Sequence, residues 1–134
     1  MFGVTRQFGQ LVAVSLAAIL AVSCGGKASD VQQHAEKIES LRATAVSVTT
    51  AWLAGDVSGI YAMTALERTF ELVANERDAV ASTPENLTLP AARDALRESE
   101  ALTRTLGALW EAVGSADAAS ARRHLSELGP ASSG

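Results

Sequence analysis

Residues 58–81 read SGIYAMTALERTFELVANERDAVA. In this stretch Met63, Leu66, Phe70, Val73, Arg77 and Val80 recur at alternating intervals of three and four. That spacing puts them on one face of an amphipathic helix and excludes the period of two expected of a strand. Arg77 is the one polar intruder in the stripe. The segment opens after a turn-forming run, Gly55-Asp56-Val57-Ser58-Gly59, and closes at Ser82-Thr83-Pro84-Glu85-Asn86, where Thr83-Pro84 can start a short turn of its own.

On the N-terminal side the same period continues. Val31, His34, Ile38, Leu41, Ala45, Val48 and Trp52 form a stripe that predicts a helix over Asp30–Ala54. Ser29 and Gln32 have the spacing of a capping box, Glu39 and Arg42 can pair on its exposed side, and Gly55 sits where a C-terminal cap belongs. On the C-terminal side a third helix is expected from Leu89-Pro90 to Gly114. Leu102, Leu106, Leu109 and Val113 carry its face, with Leu96 and Trp110 at the margins. Ser115 is placed to cap a shorter fourth helix whose apolar face is Ala118, Ala121, Leu125 and Leu128. Gly129-Pro130 ends it. No stretch of β-type alternation is present. The expected fold is all-α: an up-and-down antiparallel bundle of three long helices and one short one over residues 30–129, with a frayed tail at 130–134.

The beginning of the chain reads differently. Leu11–Ser23, LVAVSLAAILAVS, carries no charge and follows a polar start containing Arg6. Its length fits the roughly 7–15 residues of a signal-peptide core and falls short of the roughly 20 needed to span a bilayer. It ends in Ala21-Val22-Ser23-Cys24, and Cys24 is the one cysteine of the 134 residues. This tetrad resembles the lipobox of bacterial lipoproteins, with Ala21 standing where leucine is preferred. The resemblance implies a signal peptide over 1–23, a diacylglyceryl group on the Cys24 sulfur and cleavage between Ser23 and Cys24. It also implies acylation of the new amine in many bacteria. Two or more acyl chains anchor stably where one does not. Gly25 replaces the aspartate that commonly retains lipoproteins at the inner membrane, so the resemblance implies the periplasmic face of the outer membrane in an organism with two. Two other readings of the segment are an uncleaved anchor stretched over Phe8–Cys24, and ordinary cleavage that leaves a free thiol. Gly25–Ser29 would then be a short flexible tether.

Of the 11 basic residues only Arg6 lies in the first 23, so the remainder faces all 15 acidic ones. That balance argues against nucleic acid as a partner. Large apolar residues are few and alanine abundant, which favours helices with a thin, closely packed core. A lipidated Cys24 leaves no disulfide within the chain.

Chemistry-bearing patterns are sparse. The two histidines, His34 and His124, lack the Glu-x-x-His spacing of di-iron bundles; Val31 and Ala121 occupy the glutamate positions. His124 and Glu127 share a face in the reverse order. Haem-attachment, phosphate-loop and nucleophile-elbow motifs are missing. No cofactor or metal is expected, and no catalytic residue. Glu67 and Glu71, one turn apart, read as a solvated face.

Two groupings follow from folding the helices about their turns. His34 should come opposite Arg77, with Asp94 or Glu98 nearby, giving a polar cluster at the membrane-proximal end. Trp52, Tyr61 and Met63 should gather at the membrane-distal end, where an exposed Trp52 or Tyr61 would offer a protein-docking tip. The functional expectation is a non-enzymatic envelope lipoprotein, anchored through Cys24, that scaffolds or binds another envelope protein. The alternative is a small-ligand- or metal-binding sensory bundle with an internal cavity lined by Phe70, Trp110 and Leu106.

Overall fold

The computed structural model describes residues 26–129; the predicted signal helix, Ser23, Cys24 and the 130–134 tail lie outside them. Helix α1 spans Gly26–Leu53, α2 Gly59–Ala81, α3 Pro90–Gly114 and α4 Ala118–Leu128, with a 3₁₀ turn at Pro84–Thr88 between α2 and α3. No strand occurs among the described residues. The fold is the expected all-α bundle. α2 packs on both α1 and α3, α4 lies mainly against α3, and α1 also reaches α3 and α4.

Each boundary has a local cause. Leaving α1, the Gly55 N–H donates to the Trp52 carbonyl at 3.0 Å and the Asp56 N–H to the Ala51 carbonyl at 2.9 Å. That is the Schellman closure, and Gly55 takes the left-handed conformation it requires, φ +80°. The Ser58 hydroxyl caps α2 by accepting from the Tyr61 N–H at 3.2 Å. Pro90 stands in the first turn of α3, where its missing N–H is harmless. At the end of α3 the same closure repeats, Asp117 N–H to Ala112 carbonyl at 2.8 Å and Ala116 N–H to Val113 carbonyl at 3.1 Å. Here the left-handed position is held by an alanine, Ala116, at φ 54°.

Two boundaries differ from the expectation. α1 begins at Gly26, so Ser29 lies within the helix rather than capping it, and residues 26–29 of the expected tether are helical. Lys27 and Ala28 are good helix formers, and extending an existing helix is far easier than nucleating one. The cap of α4 is Asp117, not Ser115. The Asp117 carboxylate accepts from the Ser120 N–H at 3.1 Å and the Ser120 hydroxyl at 2.6 Å, while the Ser115 hydroxyl turns back to the Glu111 carbonyl at 2.9 Å.

The core follows the stripes closely. Val31, Ile38 and Ala45 of α1, Leu66, Val73 and Val80 of α2, and Leu102, Leu106, Leu109 and Val113 of α3 are buried, as are Ala121 and Leu128 of α4. The α2 stripe is rotated, however. Its buried centre runs through Ala62, Leu66, Thr69 and Val73. Small residues at 62 and 69 let the neighbouring helices approach there, which carries Phe70 and Arg77 to the margin. Buried hydroxyls are handled unequally. Thr69 donates to the Ala65 carbonyl at 2.7 Å and Ser99 to the Leu96 carbonyl at 2.7 Å, whereas the fully buried Thr49 hydroxyl has no partner among the described residues.

Arg42 ties α4 to α1. Its side chain is 17% exposed and its Nε lies 3.4 Å from Glu39 Oε2. Its Nη1 donates to the Leu128 carbonyl at 3.3 Å, placing a cation at the negative end of α4. The Glu39–Arg42 pair thus forms as the spacing implied, but half under α4 rather than on an open face. No described helix is long and apolar enough to cross a membrane.

Candidate functional site

The polar cluster assembles with different members. His34 Nδ1 hydrogen-bonds Glu76 Oε2 across the α1–α2 seam, and Lys37 Nζ lies 3.8 Å from Glu76 Oε1. The expectation that His34 meets Arg77 is corrected by one residue. His34 and Glu76 lie equally far along the chain on either side of Gly55, and one residue on a helix is a turn of about 100°. Arg77 therefore faces away from His34 and lies 3.7 Å from its own neighbour Asp78. Asp94 pairs instead with Arg97 on the surface of α3, and Glu98 is exposed. The predicted constellation of His34, Arg77, Asp94 and Glu98 is not brought together. Glu76 went unread because its signal was register alone.

His124 Nδ1 lies 3.3 Å from Glu127 Oε2 on α4. Both border an open groove of about 430 Å³ shared with Arg104 and Thr105 of α3. Among the described residues no three His, Cys, Asp or Glu side chains converge as metal ligands would.

At the Gly55 end the aromatic residues divide. Trp52 is partly buried and packs on the core with Met63; a Cβ at Gly59 would stand 3.8 Å from Trp52 Nε1. Tyr61 is 58% exposed and its neighbour Ile60 81% exposed. Two consecutive large apolar side chains therefore project from the first turn of α2. Of Trp52 and Tyr61, then, Tyr61 is exposed, with Ile60 beside it, and Trp52 is partly buried.

A second apolar feature lies along the α2–α3 seam. Leu66, Glu67 and Phe70 from α2 and Leu106, Gly107 and Trp110 from α3 line an open groove of about 220 Å³. Phe70 and Trp110 remain 44% and 41% exposed. Phe70, Trp110 and Leu106 thus come together as the ligand-binding alternative supposed, but around a surface groove rather than an internal cavity. At Gly107 the groove is open enough that an added Cβ would meet nothing within 4 Å. A broader concavity of about 520 Å³ follows α1 from Glu39 to Asp56. One helix and its turn line it, so it encloses little.

Among the described residues the acid displaced from its ordinary range is Asp117. The Ser120 hydroxyl, and then the Ser120 N–H, hold its carboxyl below the usual aspartate range by bonding to the charged form. This belongs to the α4 cap and not to a reactive centre. Compared with family models, curated proteins and solved structures, the chain matches none.

Proposed function

We propose that the chain is a lipid-anchored helical module of a bacterial cell envelope, non-enzymatic, that holds a partner protein away from the membrane surface. The address comes from the lipobox-like Ala21-Val22-Ser23-Cys24. The observation that carries the mechanical part is the course of α1. It starts two residues beyond Cys24 and runs unbroken to Leu53, about 42 Å at 1.5 Å per residue. A lipid on Cys24 would therefore be coupled to a rigid rod rather than to a loose tether. The Pro84–Thr88 end would face the lipid headgroups, and Ile60 and Tyr61 would stand at the far end. Exposed aromatic and aliphatic side chains with a polar surround suit protein docking.

The test has two readouts in the producing bacterium. Mass spectrometry of the mature polypeptide should show a chain beginning at an acylated Cys24. Cys24→Ser should leave the precursor unprocessed and release it from washed membranes when the signal is cut elsewhere. A photocrosslinker at Tyr61 should yield a defined adduct in the envelope that Cys24→Ser abolishes. A native chain with a free thiol and an intact Met1 would overturn the anchor. A Tyr61 position that never crosslinks would overturn the docking tip.

A further inference from the structure

We propose that Leu87 is a second membrane contact: it seats in the lipid headgroup layer beside the anchored start of α1 and sets the angle at which the bundle stands. The inference deepens the anchored-module reading above and rests on that reading for the presence of the membrane.

The first argument is place. Val31 of α1, Val80 of α2 and Ala92 of α3 close one end of the core together, with Leu89 packed against them. The Pro84–Thr88 turn joins α2 to α3 just beyond Val80 and Ala92, and the first turn of α1 extends beyond Val31 at the same end. Cys24, which closes the uncharged run 11–23, stands two residues before Gly26. Both readings of the anchor, a lipid on Cys24 or a retained segment over Phe8–Cys24, bring the bilayer to this end.

The second argument is what the turn leaves outside. Asn86 is buried and Leu89 partly buried, while Leu87 between them is 44% exposed. Arg93 donates from Nε to the Leu87 carbonyl at 3.2 Å, which sets a guanidinium beside the leucine. An apolar side chain next to a cation suits the boundary between acyl chains and phosphates. A lone exposed leucine elsewhere on the surface would need no explanation; this one stands at the end that the anchor holds to the bilayer.

The third argument is charge. Residues 26–30 and 77–97 carry Lys27, Arg77, Arg93 and Arg97 against Asp30, Asp78, Glu85 and Asp94, and so are neutral. The rest of the chain after Cys24 has six basic residues against eleven acidic ones, and an anionic lipid surface repels it. Asp78 lies 3.7 Å from Arg77, and Asp94 pairs with Arg97. A neutral contact holds by apolar burial, which salt does not screen. The fourth argument is mechanical. An anchor joined through Gly25 fixes where α1 begins but not where it points. Packed helices stand about 8–10 Å apart, so a foothold in the α2–α3 turn adds a second support at about that offset. Burying the exposed part of one leucine favours the seated orientation by on the order of five-fold.

The test uses the full chain with its native anchor, reconstituted in zwitterionic vesicles. An environment-sensitive fluorescent amino acid replaces Leu87 in one sample and Ile60 in another. Lipids brominated high on the acyl chain should quench the probe at position 87 and not the one at 60, and about 1 M salt should leave the quenching intact. Energy transfer from a donor at position 61 to a headgroup acceptor reads the height of the far end. Leu87→Ser, an exposed change that leaves the core alone, should lower the ratio of seated to unseated orientations about five-fold, and Leu87→Phe should preserve it. A position-87 probe in water, quenching lost in salt, or a height distribution that Leu87→Ser leaves unchanged would each overturn the proposal. So would a probe shielded from aqueous iodide yet untouched by the brominated lipids, which would mark a protein contact. A chain that leaves the vesicles brings down the anchor reading and this inference with it; a chain that stays bound with position 87 in water removes the second contact alone.

Discussion

Replacing Gly107 with alanine should stabilise the bundle. In α3 this residue is seven positions from the C-terminal end, well inside the hydrogen-bonded helix. There the backbone entropy lost by glycine exceeds that of alanine by about 0.8–1.0 kcal/mol. The new methyl meets no atom within 4 Å, so neither a clash nor a packing gain alters the figure. For a domain of this size a gain of about 1 kcal/mol raises Tm by roughly 4–8 °C. Far-UV circular dichroism of the full chain, melted thermally and titrated with urea, would read it as a higher midpoint at unchanged m-value. Gly114→Ala is the internal control. Its Cβ would stand 3.1 Å from Met63 Cε, so Met63 must move and the propensity gain should largely vanish. An unchanged or lowered Tm for Gly107→Ala would refute the reasoning. It would mean that the position is occupied or conformationally special, and that the groove is not open as described.

The two Schellman closures make opposite forecasts: Ala116→Gly should stabilise by up to about 1 kcal/mol by relieving a left-handed alanine, and Gly55→Ala should destabilise by about 1 kcal/mol or more, both measured by urea titration. Thr49→Val keeps the shape of a fully buried side chain while removing its unpartnered hydroxyl, so it should raise stability by about 1 kcal/mol; a loss would reveal a hydrogen bond to that hydroxyl. Asp117 has a lowered folded pKa, so its stabilising effect is complete above the unfolded aspartate value of about 3.9 and fades as pH falls through the folded one. Asp117→Asn should therefore be less stable than wild type at neutral pH and converge with it in acid, once the carboxyl is protonated in the folded state as well; a difference that persists there would mean the carboxylate charge is not the source.

Much of the architecture was legible because it rests on local rules. Gly55 before a turn, Pro90 in a first turn and the three-four stripes of α1 and α3 all act within a few residues, and each stands where the spacing put it. What the sequence hid depends on angle. The α2 stripe admitted Phe70 as readily as Thr69, and only the contact with α1 and α3 decides that the smaller residue faces in. His34 was matched to Arg77 instead of Glu76 for a similar reason: a loop of five residues, Ala54–Ser58, leaves register uncertain by one, and one residue is nearly a third of a turn.

The same angular argument explains why a surface groove in such a chain escapes motif reading. Nothing chemical marks Leu66, Glu67, Phe70, Leu106, Gly107 and Trp110 as a set; two helices bring them together along one groove. In an alanine-rich bundle most interhelical gaps close because the backbones can approach. This one stays open, with Phe70 and Trp110 at 44% and 41% exposure along it, and a methyl added at Gly107 would leave it open, since it meets nothing within 4 Å.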